Sequence, residues 1–194
     1  MFFHRNMPRG YGVSIAYYSS TYYETMTVIK HANQRVGIFL DVQNLYHSAK
    51  NLYESRVNFE SVVKNIVANR TLIRAVAYVI RTESGEESNF LDALVNMGIE
   101  TKSKDLQIFS DNAKKADWDV GLVIDMISMA PKLDVIALVS GDGDFVPAIK
   151  YVKKFGCQVE VVAFSRTCSQ KLQDSADDFI DLCASPRKFL IRPR

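Results

Sequence analysis

From Arg35 onward, short apolar runs alternate with stretches in which apolar residues recur every three or four positions. Val36 to Leu40 is a short apolar run, the mark of a strand buried on both faces. Leu45, Ala49 and Leu52 then line one side of a helix. Asn58 is placed to cap a second helix, in which Phe59, Val62, Val63, Ile66 and Val67 keep the i, i+3, i+4, i+7 spacing. Leu72 to Ile80 reads as a second strand, and Phe90, Ala93, Leu94 and Met97 as a helix stopped by Gly98. Ile99 to Lys104 is a weaker third strand. Val120, Val123, Ile124 and Ile127 predict a helix ending near Pro131, followed by a fourth strand from Leu133 to Val139. Phe145, Ile149 and Val152 mark the next helix, closed by Gly156, and Cys157 to Phe164 the fifth strand. Residues 169 to 183 read as a last short helix and an irregular end.

Alternating strands and helices imply a parallel sheet covered by helices on both faces. Right-handed crossovers restrict its topology. The expected fold class is α/β: a Rossmann-type three-layer α/β/α sandwich whose mainly parallel five-stranded sheet runs in the order 3-2-1-4-5. The domain spans residues 35–185, with a tail over 186–194. Residues 1–34 differ: they hold Tyr11, Tyr17, Tyr18, Tyr22 and Tyr23 among Ser and Thr, with little periodicity. They read as a poorly ordered N-terminal extension, for which Met26 is a natural alternative start. The other reading is an aromatic arm that stacks on bases.

Composition narrows the classes. At 194 residues, 47% hydrophobic and 24% charged, the chain has the make-up of a soluble domain with a full core. A net charge of +2 provides no global basic field, so nucleic-acid binding would need a local patch. Cys157, Cys168 and Cys183 form no CxxC pair, against a zinc site or disulfide framework and in keeping with a reducing, cytoplasmic setting. No apolar run approaches the roughly 20 residues of a membrane span, and no signal peptide is read.

The chemistry concentrates where strands end. The fourth strand runs into Ser140-Gly141-Asp142-Gly143-Asp144-Phe145, and the first ends on Asp41. In the expected order these strands are neighbours at the switch point, where ligands bind in open α/β sheets. Gly141 and Gly143 fit a turn that lets backbone approach a ligand. A third group, Asp117-Trp118-Asp119, directly precedes the helix that starts at Val120. Asp119 and Asp144, taken singly, also read as helix-capping acids. Taken jointly, three segments deliver acid to one end of the sheet. Carboxylates about 4 Å apart repel by roughly 4 kcal/mol at an effective dielectric of 20, so a cation is called for. Hard oxygen donors suit Mg²⁺ or Mn²⁺, and such a cup supports phosphodiester hydrolysis without a histidine base. His47, one turn from Gln43, either touches substrate or lies on the solvated face; His4 and His31 have no assigned role.

Three segments, in order and plausibly spaced over Arg35 to Phe164, carry a family resemblance: Phe39-Leu40-Asp41-Val42-Gln43-Asn44-Leu45, then Lys115-Ala116-Asp117-Trp118-Asp119-Val120 with Asp125, then Leu138-Val139-Ser140-Gly141-Asp142-Gly143-Asp144-Phe145. The chain resembles the NYN domain family, of the LabA-like branch, within the PIN-like nuclease superfamily. The resemblance implies a PIN-like α/β/α fold and a Mg²⁺- or Mn²⁺-dependent endoribonuclease. It makes Asp41, Asp119 and Asp142 the metal ligands and Asp144 a fourth acid. It has Asn44 orienting Asp41 or contacting substrate, and Ser140 bracing the Asp142 turn. Many PIN domains carry a further early Glu; Glu54 and Glu60 are candidates, though neither falls in a motif. Asp125 lies six residues beyond Asp119, roughly 120° around the helix, and is a secondary candidate.

Substrate phosphates need cations, and Lys102, Lys104, Lys114, Lys115 and Arg166 are expected near the carboxyl edge of the sheet. Lys150, Lys153 and Lys154 read as a solvated face. Trp118 either stacks on an unpaired base or anchors the start of its helix. Single-stranded RNA is the expected partner, with homodimerisation a further option. The competing reading is a non-catalytic RNA- or protein-binding module of the same fold. An aspartate-nucleophile phosphatase ranks low because position 43 is Gln rather than Asp, and a DxD glycosyltransferase lower still.

Overall fold

The computed structural model describes residues 28–81, 88–105, 107–108, 114–115 and 118–191. The strands β1 (Arg35–Asp41), β2 (Thr71–Arg81), β3 (Glu100–Asp105), β4 (Val135–Val139), β5 (Gln158–Ala163) and β6 (Asp178–Asp181) build one sheet. Their order is 3-2-1-4-5-6, and every neighbouring pair is parallel. The expected five-strand order is therefore present, with one strand added at its edge. The central strands β1 and β4 are buried along nearly their whole length, as two covered faces require.

Alternate residues feed two separate cores. Val36, Ile38 and Leu40 of β1 join Val135, Ala137 and Val139 of β4 beneath α1 (Val42–Tyr53), α2 (Phe59–Val67) and α3 (Ser88–Asn96). Phe39, Ile136 and Leu138 point the other way. They pack with Leu122 and Met126 of α4 (Asp119–Met129), Ile149 and Val152 of α5 (Val146–Val152), and Leu172 of α6 (Gln170–Ser175). The Asn58 cap of α2 is made: its side chain accepts from the Ser61 N–H at 3.0 Å. No helix among the described residues is long and apolar enough to cross a membrane.

Three features depart from the sequence reading. β6 replaces the irregular end expected before residue 183; only Phe179 and Ile180 separate its two terminal acids, Asp178 and Asp181, too short a pattern to register as a strand. The expected tail packs onto the domain: Leu190–Ile191 pairs antiparallel with Arg56–Val57, and Phe189 is buried. The expected extension is pinned at its end, where Lys30 reaches Asp178 at 3.1 Å and Gln34 accepts from the Thr71 N–H at 3.0 Å. The N-terminal tyrosines and Met26 lie outside the described residues.

β5, the expected fifth strand, carries a buried charge. The Arg70 guanidinium grips Glu160 with two nitrogens at 2.7 and 2.9 Å, and both side chains are almost fully enclosed, 1% and 0% exposed. Ion pairs buried this completely persist when the geometry is bidentate and the remaining lone pairs are used. Here Gln158 donates to Glu160 at 3.1 Å.

Candidate metal and nucleic-acid site

The site begins where β1 and β4 end side by side, with Leu40 in register with Val139. One residue further, Asp41 caps α1: its Oδ1 accepts from the Asn44 N–H at 3.1 Å. On β4 the next residue is Ser140, fully buried. Its hydroxyl donates to Asp41 Oδ2 at 2.9 Å and accepts from the Asp142 N–H at 3.2 Å. Asn44 closes the stitch, its Oδ1 accepting from the Gly141 N–H at 2.9 Å. Asp142 in turn caps the 3₁₀ turn Gly143–Phe145, with Oδ1 accepting from the Asp144 N–H at 2.9 Å. The two strand-end acids are thus the capping residues of the elements that follow them. Capping uses one oxygen of each and leaves room for a second role.

Burial pushes the Asp41 carboxyl above its ordinary range, and the charge of Asp142 adds to this. Hydrogen bonds from Asn44, Ser140 and Gln43 work against it. A carboxylate held in this balance gains from a nearby cation.

The facing wall comes from β2 and α4. Trp118 directly precedes α4, and its indole N–H donates to the Val79 carbonyl at 3.1 Å. The indole rests on Gly121: a Cβ there would lie 2.7 and 2.9 Å from the six-membered ring, so only glycine accommodates it. The Tyr78 ring meets Trp118 edge-on at 5.8 Å. The Tyr78 hydroxyl donates to Asp125 Oδ2 at 2.6 Å, and Lys102 Nζ reaches the same oxygen at 2.6 Å. Burial alone would raise the Asp125 carboxyl, but Lys102 and Tyr78 outweigh it and hold the group low.

Between these walls lies a pocket of about 220 Å³. Asp41, Asp119 and Asp142 supply its carboxylates. Gln43, Asn44 and His47 of α1 make a polar side, and Tyr78, Ile80 and Trp118 an apolar one. No Lys or Arg lines it among the described residues.

The structure therefore gathers Asp41, Asn44, Trp118, Asp119 and Asp142 into one pocket, and sends the other candidates elsewhere. Asp144 is exposed and does not line the pocket. Ser140 is sealed behind the acids, so it positions them and cannot touch substrate. Arg166 is exposed and interacts with Tyr53 instead. Lys102 is spent on Asp125, and Asp125, which does not line the pocket, anchors Tyr78. Lys115 lies in a short antiparallel pairing, Gln107–Ile108 with Lys114–Lys115, and its side chain and Asp117 lie outside the described residues. Glu54 ends α1 in the left-handed region and Glu60 pairs with Lys64, so neither lines the pocket. Gly141 is small because the Cys168 backbone passes it: a Cβ would lie 3.1 Å from Cys168 Cα, so the close approach expected of a ligand is made by the chain itself. Gln43, Tyr78 and Ile80 were not singled out as site residues. The spacing of Gln43 and His47, four apart on α1, was the available signal for the polar side.

The donor set fits a divalent ion of the Mg²⁺ type, with a limit. Among the described residues no three of His, Cys, Asp and Glu come close enough to enclose an ion, so the expected four-acid cup is not formed. Mg²⁺ is commonly held by only one or two carboxylates, keeping several waters and substrate phosphates as its other ligands. Asp41 and Asp142, linked through Ser140, meet that lesser demand, with Asp119 on the same pocket.

Comparison with known proteins agrees with this architecture. The NYN domain model matches residues 35–183. The chain is 30% identical over 160 residues to the low amplitude and bright protein LabA of Synechococcus elongatus, covering 76% of this chain and 83% of that protein. It is 25% identical over 156 residues to an uncharacterised protein of Methanocaldococcus jannaschii, covering 79% of this chain and 57% of that longer relative. The crystal structure of a Vibrio parahaemolyticus protein of unknown function superposes with a TM-score of 0.75 at 30% identity, over 84% of this chain and 100% of that one. With the fold, the strand-end acids and the match across residues 35–183 in agreement, the chain belongs to the NYN domain family.

Proposed function

We propose that this protein is a Mg²⁺- or Mn²⁺-dependent endoribonuclease that hydrolyses phosphodiester bonds of single-stranded RNA in the pocket between β1, β4 and α4. The observation that carries the reading is the joining of Asp41 and Asp142 through the buried Ser140 hydroxyl, at the mouth of a pocket that Asp119 also lines. The NYN family is generally nuclease-like, which agrees with it.

Asp41 and Asp142 would hold the ion, with Asp119 across the pocket. When bound, the ion would supply Lewis-acid polarisation of the scissile phosphate and activation of water. The chain's own part is positioning. Ser140 and the Asn44 N–H fix both oxygens of Asp41. The Asp144 N–H fixes one oxygen of Asp142, and the other has no partner among the described residues. Asp41 and Asp142, with no Lys or Arg in the described lining, repel a polyanion unless a cation intervenes, so RNA entry and metal loading are coupled.

A labelled single-stranded RNA incubated with Mg²⁺ or Mn²⁺ tests this. Metal-dependent internal cleavage is expected. Asp142→Asn should reduce it by more than the roughly 10–100-fold typical of groups one step removed from a metal. The competing reading, a non-catalytic RNA- or protein-binding module, draws on the lack of a three-ligand group among the described residues. It prevails if no metal supports cleavage and Asp142→Asn binds RNA as the wild type does.

A further inference from the structure

We infer that the pocket holds a slot for one unpaired nucleobase beside the acids, with Trp118 and Ile80 against the face of the base and Gln43 and His47 reading its edge. This rests on the RNA reading above and adds to it a recognition site on residues that no nuclease chemistry requires.

The apolar wall is built not to move. Trp118 is held at its nitrogen by the Val79 carbonyl and at its six-membered ring by Gly121, and its ring packs against that of Tyr78 in a T-shaped contact at 5.8 Å. A glycine inside a helix is unfavourable unless something uses the missing side chain, and here the indole uses it. A ring already fixed loses little further freedom when a base stacks on it.

The polar wall carries spare hydrogen-bonding capacity. The Gln43 amide and the His47 imidazole have no hydrogen-bond partner among the described residues, although both line the pocket. The Tyr46 and His47 rings make a T-shaped contact at 5.4 Å. A side-chain amide offers a donor and an acceptor together, the pairing that matches a base edge.

Size and placement do the rest. A pocket of about 220 Å³ has room for one nucleobase. A cation held by the acids at one side would place the phosphate there and the base of that nucleotide between the two walls. In a duplex the base edges are already paired and the faces stacked, so the slot selects single strands.

Trp118 is the only tryptophan in the chain, so its emission reports on the slot directly. The full-length wild-type protein is titrated with each of the four nucleoside 5′-monophosphates, which carry no phosphodiester bond to cleave, and with ribose 5-phosphate, all in Mg²⁺. Saturable quenching by at least one nucleotide and none by ribose 5-phosphate is expected. Gln43→Ala and His47→Ala, both at solvent-accessible helix positions, should each change the ratio of affinities among the four nucleotides by about 10-fold, with the far-ultraviolet circular dichroism unchanged. No quenching by any nucleotide, quenching matched by ribose 5-phosphate, or unchanged base preference in both variants overturns the slot. The two readings fail separately. Wild type that cuts RNA while the nucleotides leave Trp118 unquenched loses the slot alone. Base-dependent quenching in a wild type that never cuts keeps the slot and removes the nuclease.

Discussion

Replacing Ser140 with alanine removes one oxygen and strands two other groups. Ser140 is 0% exposed, and its hydroxyl serves Asp41 Oδ2 at 2.9 Å and the Asp142 N–H at 3.2 Å. A hydrogen bond to a charged group contributes about 1.5–3 kcal/mol and a neutral one about 0.5–1.5 kcal/mol. Ser140→Ala should therefore lower the unfolding free energy by about 2–4 kcal/mol at neutral pH. The pH dependence follows from Asp41. Its folded-state pKa is raised, chiefly by burial, and Ser140 is one of the groups holding it down. An acid raised on folding binds more protons in the native state, so stability declines as pH rises from the unfolded carboxylate pKa through the folded one. Removing Ser140 moves the folded pKa further up and extends that decline. The cost of the substitution should be larger at neutral pH than in acid below the folded-state pKa of Asp41, where the carboxyl has taken up its proton and loses only a neutral bond. Urea unfolding followed by circular dichroism, in chelator at both pH values, measures it. A change below about 0.5 kcal/mol at neutral pH, or a cost equal at the two pH values, refutes the reasoning.

Arg70→Met leaves Glu160 buried without its main partner and should cost about 3–5 kcal/mol in chemical denaturation, whereas pairing it with Glu160→Leu should recover most of that loss. Gly121→Ala, which in an open helix would gain about 1 kcal/mol, should instead cost about 1–3 kcal/mol and shift Trp118 fluorescence, because the new methyl meets the indole at 2.7 Å. Asp134 is held down to about 2 by its hydrogen bonds with Arg35. An acid lowered on folding contributes stability that is present above the unfolded carboxylate pKa and lost as pH falls through the folded one. Asp134→Asn should flatten acid unfolding curves between about pH 4 and 2, by a small amount because both partners are exposed.

The parts of this protein legible in the sequence are those set by neighbours along the chain. The apolar runs of β1, β2, β4 and β5 and the helical stripes between them follow from backbone periodicity. The crossover rule restricts the topology, and the Rossmann-type order 3-2-1-4-5 expected within it makes Asp41 and Asp142 neighbours across 100 residues of sequence. β6 escaped because two apolar residues between acids carry no periodic signal, and it forms only because β5 offers an edge to pair with. The Arg70–Glu160 pair escaped because its partners lie 90 residues apart and nothing local marks either one. Asp144 shows the same limit at short range: two residues from Asp142, it lies outside the pocket because the 3₁₀ turn between them carries it into solvent.

The sequence by itself determined the layers, the strand order and which acids stand at strand ends, since each depends on local periodicity and chain connectivity. Only the tertiary structure decided which of those acids share a pocket, which lysine is already spent on Asp125, and that Ser140 faces inward while Gln43 and His47 line the opening. Side-chain neighbours are chosen by how the packed faces meet, and that geometry exists only once the sheet and both helical layers have closed.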